Sequence, residues 1–191
     1  MNREKINLWR QTKWGQIIET ILLAIIIVTP IRLFIAQPFL VSGPSMDPTF
    51  ADGQYLIVDE ISSYFRAPQR LDVLIFKPPV NEKKFYIKRL IGLPGETVTI
   101  KDDIVTIKNT EYPTGFVLAE PYVNTESPFP PLPIDHTWTL GPDEYFMLGD
   151  NRNQSSDSRV WGPISKKEIV GRPFLRLLPL SAINLWPGDK Y

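Results

Sequence analysis

The sequence predicts a mainly β protein: an antiparallel β-sheet or barrel domain behind one N-terminal transmembrane helix. Three observations lead there. A single long apolar run, residues 17–35, lies near the N-terminus. From residue 37 onward, short stretches rich in β-branched and aromatic residues take over, with period-two alternation. Nineteen prolines weigh against long helices in that later part. A chain of 191 residues accommodates one ordinary domain with a proper core plus a short appendage.

The elements follow in order. Residues 1–16 are polar and basic, with Arg3, Lys5, Arg10 and Lys13 against Glu4 alone. The apolar run would span about 28 Å as a helix, close to the thickness of a bilayer core. Its centre, Ile21-Leu22-Leu23-Ala24-Ile25-Ile26-Ile27-Val28, carries no charge. Glu19 and Arg32 sit near its ends, where long side chains reach the interface. A buried core helix would not need to be apolar nearly all round. A cleaved leader would want small residues at its end, but Phe34 stands two before Ala36 and Pro38 follows closely. The expectation is an uncleaved anchor over 17–36. Basic residues precede it, and after Arg32 the next is Arg66, so 1–16 is expected in the cytoplasm and 37–191 across the membrane.

Within 37–191, residues 55–58, 72–76, 85–91 and 145–148 read as strands. Residues 97–100 and 104–107 flank Lys101-Asp102-Asp103 as a hairpin. Residues 120–133 hold five prolines and read as an irregular surface loop, and Lys166-Lys167-Glu168 as a short helix or turn. No internal repeat is present.

Composition removes several function classes. Lys+Arg and Asp+Glu balance at 21 each, so no basic field exists to hold nucleic acid. Cysteine is absent, which excludes disulfides, thiolate metal sites and cysteine nucleophiles. The one histidine, His136, stands beside a proline-rich stretch and reads as a solvated loop residue. Serine chemistry in this chain therefore needs a base other than imidazole.

Three segments carry unusual polar detail. In Val41-Ser42-Gly43-Pro44-Ser45-Met46-Asp47-Pro48-Thr49, Gly and Pro around Ser45 make a tight backbone that can expose a hydroxyl and nearby amides; alone, it is a turn. In 86–96, strand alternation puts Lys88 on one face with Tyr86 and Leu90. Apolar neighbours there would desolvate the amine and lower its pKa, unless that face is solvated. The polar run 149–162 follows an apolar strand and suits a hydrogen-bonding network. Asp150 and Asp157 are too few for a calcium loop, so no metal is expected.

Taken together and in order, these segments closely resemble the type I signal peptidases. Ser45-Met46-x-Pro48-Thr49 resembles that family's nucleophile box. Tyr86-Ile87-Lys88-Arg89 with Gly92-Leu93-Pro94-Gly95 resembles its lysine box. Gly149-Asp150-Asn151-Arg152 with Ser155, Asp157, Ser158 and Arg159 resembles its last box. Asp52-Gly53 before Tyr55-Leu56-Ile57-Val58 resembles the strand box between, where the family usually has Gly-Asp. Asn153-Gln154 stands where members often have Asp-Asn, and Gly43 where some carry an oxyanion-donating serine. The single anchor and small body are similar to Gram-positive, cyanobacterial or thylakoid members.

The resemblance implies a signal-peptidase-like β fold and a membrane-bound serine endopeptidase that needs no cofactor. It cuts signal peptides from exported preproteins after small-x-small sites. Ser45 is the implied nucleophile and Lys88 its base. Ser155 would orient the amine, the Ser45 amide with the Gly43 neighbourhood would hold the oxyanion, and Asp157 with Arg159 would brace the loop. Nine residues separate Ala36 from Ser45, at most about 30 Å of chain, so the nucleophile stays near the bilayer. Phe39, Leu40 and Phe50 either lie against lipid or pack in the core. Two rivals remain: a self-cleaving Ser-Lys protein of the repressor type, which would carry a DNA-binding module, and a tethered binding module with a dead site.

Overall fold

The protein is described here by a computed structural model that covers residues 12–30, 36–81, 83–123 and 135–188. The chain forms two compact units, Met1–Gln37 and Pro38–Tyr191.

In the first unit, α1 is Lys13–Pro30. The Thr12 hydroxyl accepts from the Gly15 amide at 3.0 Å, supplying one of the partners that a helix start lacks. Large apolar side chains from Ile17 to Val28 are about half exposed on every side of it. Among the described residues no helix is long and apolar enough to cross a membrane. The helix expected over 17–36 differs from what forms: α1 starts earlier, and Ala36 already belongs to a strand. Pro38 favours that strand, because a proline biases the residue before it, here Gln37, toward extended backbone. Residues 31–35 lie outside the described residues.

Twelve strands are described, with two short helices among them. They are β1 (Ala36–Leu40), β2 (Tyr55–Asp59), α2 (Ser62–Phe65), β3 (Val73–Phe76), β4 (Tyr86–Gly92), β5 (Thr97–Lys101), β6 (Ile104–Lys108), β7 (Phe116–Val117), β8 (His136–Thr139), β9 (Glu144–Leu148), α3 (Ser158–Trp161), β10 (Ile164–Ser165), β11 (Ile169–Leu178) and β12 (Asn184–Leu185). One sheet runs β1-β2-β11-β3-β4-β9-β10, with β12 added to β11; a second runs β7-β6-β5-β8. Among the described pairings the larger sheet ends at β1 and β10, so a folded sheet system forms instead of a closed barrel. His136, expected in a loop, opens β8 and pairs with Ile100. The expected loop over 120–133 falls largely on 124–134, outside the described residues.

Local sequence explains the clearest element. In the β5–β6 hairpin, Asp102 and Asp103 take φ of 50° and 61°, the left-handed turn that suits strand twist and that aspartate tolerates. Val98, Ile100, Val105 and Ile107 then point into one core, while Thr97, Thr99 and Thr106 are only partly covered. β11 is harder to foresee. Its first residues pair with β3 and its later ones with β2, with register shifts at Pro173/Leu175 and Arg176/Leu178. Gly171 permits the crossing: a Cβ there would sit 2.4 Å from the Asp59 carbonyl oxygen.

For the site, the important feature is the centre of the larger sheet. β3 is buried at all four positions, and β4 is buried from Lys88 to Gly92. Both faces of that part of β4 are therefore inside, so the charged Lys88 and Arg89 are buried on opposite faces.

Candidate active site

Ser45 sits on a loop held by apolar pegs on both sides. Val41, Met46 and Phe50 join Leu56 and Val73 in one core cluster. Phe50 is thus fully buried, while Leu40 is 64% exposed. The Phe50 amide donates to the Met46 carbonyl at 2.8 Å and the Asp47 amide to the Pro44 carbonyl at 3.0 Å. From across the site, the Asn151 amide donates to the Ser45 carbonyl at 3.1 Å. The pegs remove the loop's freedom, and the bonds set the direction of the hydroxyl.

Lys88 reaches this loop from β4, where it stands opposite Leu74. Its Nζ lies 2.7 Å from Ser45 Oγ and 3.0 Å from the Ile87 carbonyl oxygen. The Tyr86 ring covers it, 5.4 Å from the amine, so same-face alternation holds. Burial pushes its pKa down from 10.5 to about 8; Asp157 and Asp150 oppose the shift, and Arg159 adds to it. No carboxylate is within ion-pair distance of it among the described residues, so little offsets the loss of hydration. Once deprotonated, an amine in this setting can accept a proton from a hydroxyl it touches.

The loop after β9 supports both groups. Asp157 is fully buried, accepts from the Gly149 amide at 3.1 Å, and caps α3 through the Arg159 amide. Arg159 pairs with both of its oxygens, at 2.8 Å each. The Ser158 hydroxyl accepts from the Met147 amide, tying α3 to β9. Gly149 cannot be replaced by a larger residue: a Cβ would lie 2.2 Å from Ser155 Oγ and 2.5 Å from the Ser45 carbonyl oxygen. Ser155 Oγ is buried there with no hydrogen-bond partner, so no bond joins it to Lys88. Gly43, at φ 88°, donates its amide to Asp52 Oδ1 at 2.7 Å. A nearby carboxylate thus occupies this amide, in the neighbourhood expected to hold the oxyanion together with the Ser45 amide.

Several residues at the site received no role from the sequence. Arg89 is fully buried and pairs with both oxygens of Asp150, at 2.9 and 2.7 Å. It also donates to the Leu71 and Gly188 carbonyls and lies over the Tyr122 ring at 4.1 Å. Thr49 donates to Asp150 as well. Arg152 is paired with Glu120, which fastens the 149–155 loop to residues 118–123. In the sequence Thr49, Arg89, Asp150 and Arg152 fall within the three motifs but show no partners, because each pairs with a residue of a distant segment.

A groove of about 360 Å³ leads to Ser45 and Lys88. Phe39, Leu40, Val41, Leu56, Ile75, Phe85, Tyr86 and Ile87 are among the residues that line it. Among the described pairings β1 ends its sheet, and the β4–β9 pairing begins only at Arg89, so both strands keep unpaired backbone there. His136 plays no part here, being exposed on the second sheet against Trp138.

A hydroxyl in contact with a desolvated amine, where an open groove ends, gives the site the form of serine hydrolases that dispense with histidine. Known proteins agree. The model of the family described as signal peptidase, peptidase S26, matches residues 14–178. The chain is 38% identical over 179 residues to signal peptidase I T of Bacillus subtilis, covering 90% of this chain and 88% of the relative. It is 35% identical over 189 residues to signal peptidase I of Leptolyngbya laminosa, covering 91% and 85%. Against the probable signal peptidase I-2 of Synechocystis sp. it is 32% identical over 184 residues, covering 94% and 80%. The chain belongs to the signal peptidase family, on the type I branch, whose members cleave signal peptides from preproteins.

Proposed function

We propose that this enzyme is a membrane-bound serine endopeptidase that cuts exported preproteins after small-x-small sites with a Ser45/Lys88 pair. The observation that carries the reading is the 2.7 Å contact between Ser45 Oγ and an amine buried enough to hold its pKa at about 8. Neutral Lys88 takes the Ser45 proton as Oγ attacks the scissile carbonyl. It then protonates the departing amine, and the emptied lone pair next activates water against the acyl-enzyme.

The Ser45 amide donates to no protein group among the described residues, which leaves it for the oxyanion. Pro44 has no N–H to add. Ser155, buried and without a partner, is the group that orients Lys88 once substrate excludes water. Asp157 and Arg159 hold the loop that carries it. The substrate lies extended in the groove and bonds to the open edges of β1 and β4, as an added strand.

Placement follows the apolar α1 and the run continuing to residue 35. These anchor the chain with residues 1–16 in the cytoplasm and the β unit outside, where signal peptides emerge. The test is incubation of the full chain, in detergent, with a purified preprotein, followed by N-terminal sequencing of the product. Cleavage after small-x-small is expected from the wild type, with a loss of at least about 10³-fold in Ser45→Ala and Lys88→Ala. Wild-type cleavage by purified Lys88→Ala would falsify the pair.

A further inference from the structure

The geometry points to Asp52 as a positioning residue for the oxyanion loop: its carboxylate holds the Gly43 amide and so fixes the backbone from which Ser45 presents its own. The proposal rests on Ser45 being the nucleophile.

Gly43 carries the bend in this loop. Its φ of 88° is a conformation that residues with a Cβ rarely adopt, and nothing packs within 4 Å of where a Cβ would be. Neighbouring side chains therefore do not impose the bend. The bond that does is the one from Gly43 N–H to Asp52 Oδ1, at 2.7 Å. It is charge-assisted and short.

The Asp52 side chain is itself set by a clamp. Gly53 donates to the Val41 carbonyl at 3.0 Å and Val41 donates to the Gln54 carbonyl at 2.9 Å. The 51–54 turn therefore grips the chain just before Gly43 on three hydrogen bonds, two from backbone and one from Asp52. The turn is in addition anchored by Phe50 and Leu56, both in the core beside Met46. Among the described residues no other hydrogen bond holds the peptide between Ser42 and Gly43.

From Gly43 to Ser45 the backbone offers Gly43 N–H, which Asp52 occupies, no N–H at Pro44, and Ser45 N–H. Within that stretch one amide is left for the oxyanion, and its aim matters correspondingly more. If Asp52 released Gly43, the loop would gain rotational freedom two residues from the nucleophile, and the Ser45 amide would be aligned only part of the time. The groove walls at Phe39, Leu40 and Tyr86 would be unaffected, so substrate would still bind.

The test compares Asp52→Ala, which deletes the acceptor, with Asp52→Asn, which keeps an oxygen in the same place but no charge. Both are made in the full chain and assayed for preprotein cleavage in detergent. Asp52→Ala is expected to lower kcat about tenfold to a hundredfold with KM unchanged, and Asp52→Asn to recover most of the loss. The midpoint of the pH–rate profile should be the same in all three proteins, since Lys88 is untouched. A wild-type kcat in Asp52→Ala overturns the proposal, as does equal loss in the Asn and Ala variants or a loss confined to KM.

The Gly43 amide proton of the wild-type protein gives a reading that does not need the alanine variant to fold. It is expected downfield and slow to exchange, and a resonance exchanging as fast as an open loop amide overturns the proposal. Ser45→Ala run beside these variants keeps the two readings apart. Activity surviving in Ser45→Ala removes the nucleophile, whereas an inactive Ser45→Ala next to a fully active Asp52→Ala removes only the role of Asp52.

Discussion

The two faces of β4 treat neighbouring cations in opposite ways. Lys88 and Arg89 are consecutive, and both are almost completely withdrawn from water. Arg89 has a carboxylate on its fork, two carbonyls and a hydroxyl, so its charge is fully matched. Lys88 has a hydroxyl, one carbonyl and an aromatic face, with carboxylates only at a distance. The residue types suit these fates. Guanidinium stays protonated and bonds in a planar fork, so burial demands partners; ammonium sheds its proton when partners are missing. One strand thus holds a permanent, matched charge and, one residue away, an amine that burial inclines to give up its proton.

Breaking the matched side is expected to have the largest effect on folding. Arg89→Ala would leave Asp150 charged, buried and without its main partner, at a cost of about 3–5 kcal/mol. Urea denaturation checks this; a midpoint near that of the wild type would show that Asp150 finds another donor.

The unmatched side should respond in the opposite direction. A lysine held at about 8 instead of 10.5 penalises the folded state by up to about 3 kcal/mol at neutral pH. Between those two values the unfolded chain binds the extra proton, so the wild type gains stability as pH rises from 8 to 10.5. Lys88→Met removes the penalty and keeps the length of the side chain. It should therefore be inactive but more stable than wild type below pH 8, with the difference fading toward pH 10.5. Parallel stability curves for the two proteins would contradict a desolvated amine.

The smallest effect is the pH–rate profile. With the base titrating at about 8, kcat/KM should rise roughly tenfold per pH unit below that value and level off above it. A profile that is flat from pH 6 to 9 would mean another group limits the reaction.

These contrasts also mark how far the sequence could be read. Ser45 and Lys88 were legible because their short motifs include the backbone that presents them: Gly and Pro around the serine, apolar alternation around the lysine. The β5–β6 hairpin was legible for the same local reason. Arg89, Asp150 and Asp52 were not, because each gains meaning from a partner nine to 61 positions away. β11 escaped notice since one strand serves two neighbours and carries a proline where its register shifts.

By itself, then, the sequence determined the chemistry available: no thiol, one histidine remote from any motif, an apolar N-terminal run, and a serine and a lysine in recognisable settings. Only the tertiary structure decided which charges would be matched. Whether an amine is neutral depends on every group within a few ångströms of it after folding, and those groups come from β4, the 41–50 loop and the 149–159 loop together. It likewise decided that the Gly43 amide is occupied while the Ser45 amide stays open. That distinction lies in the direction of single peptide planes, which residue identity leaves free and packing fixes.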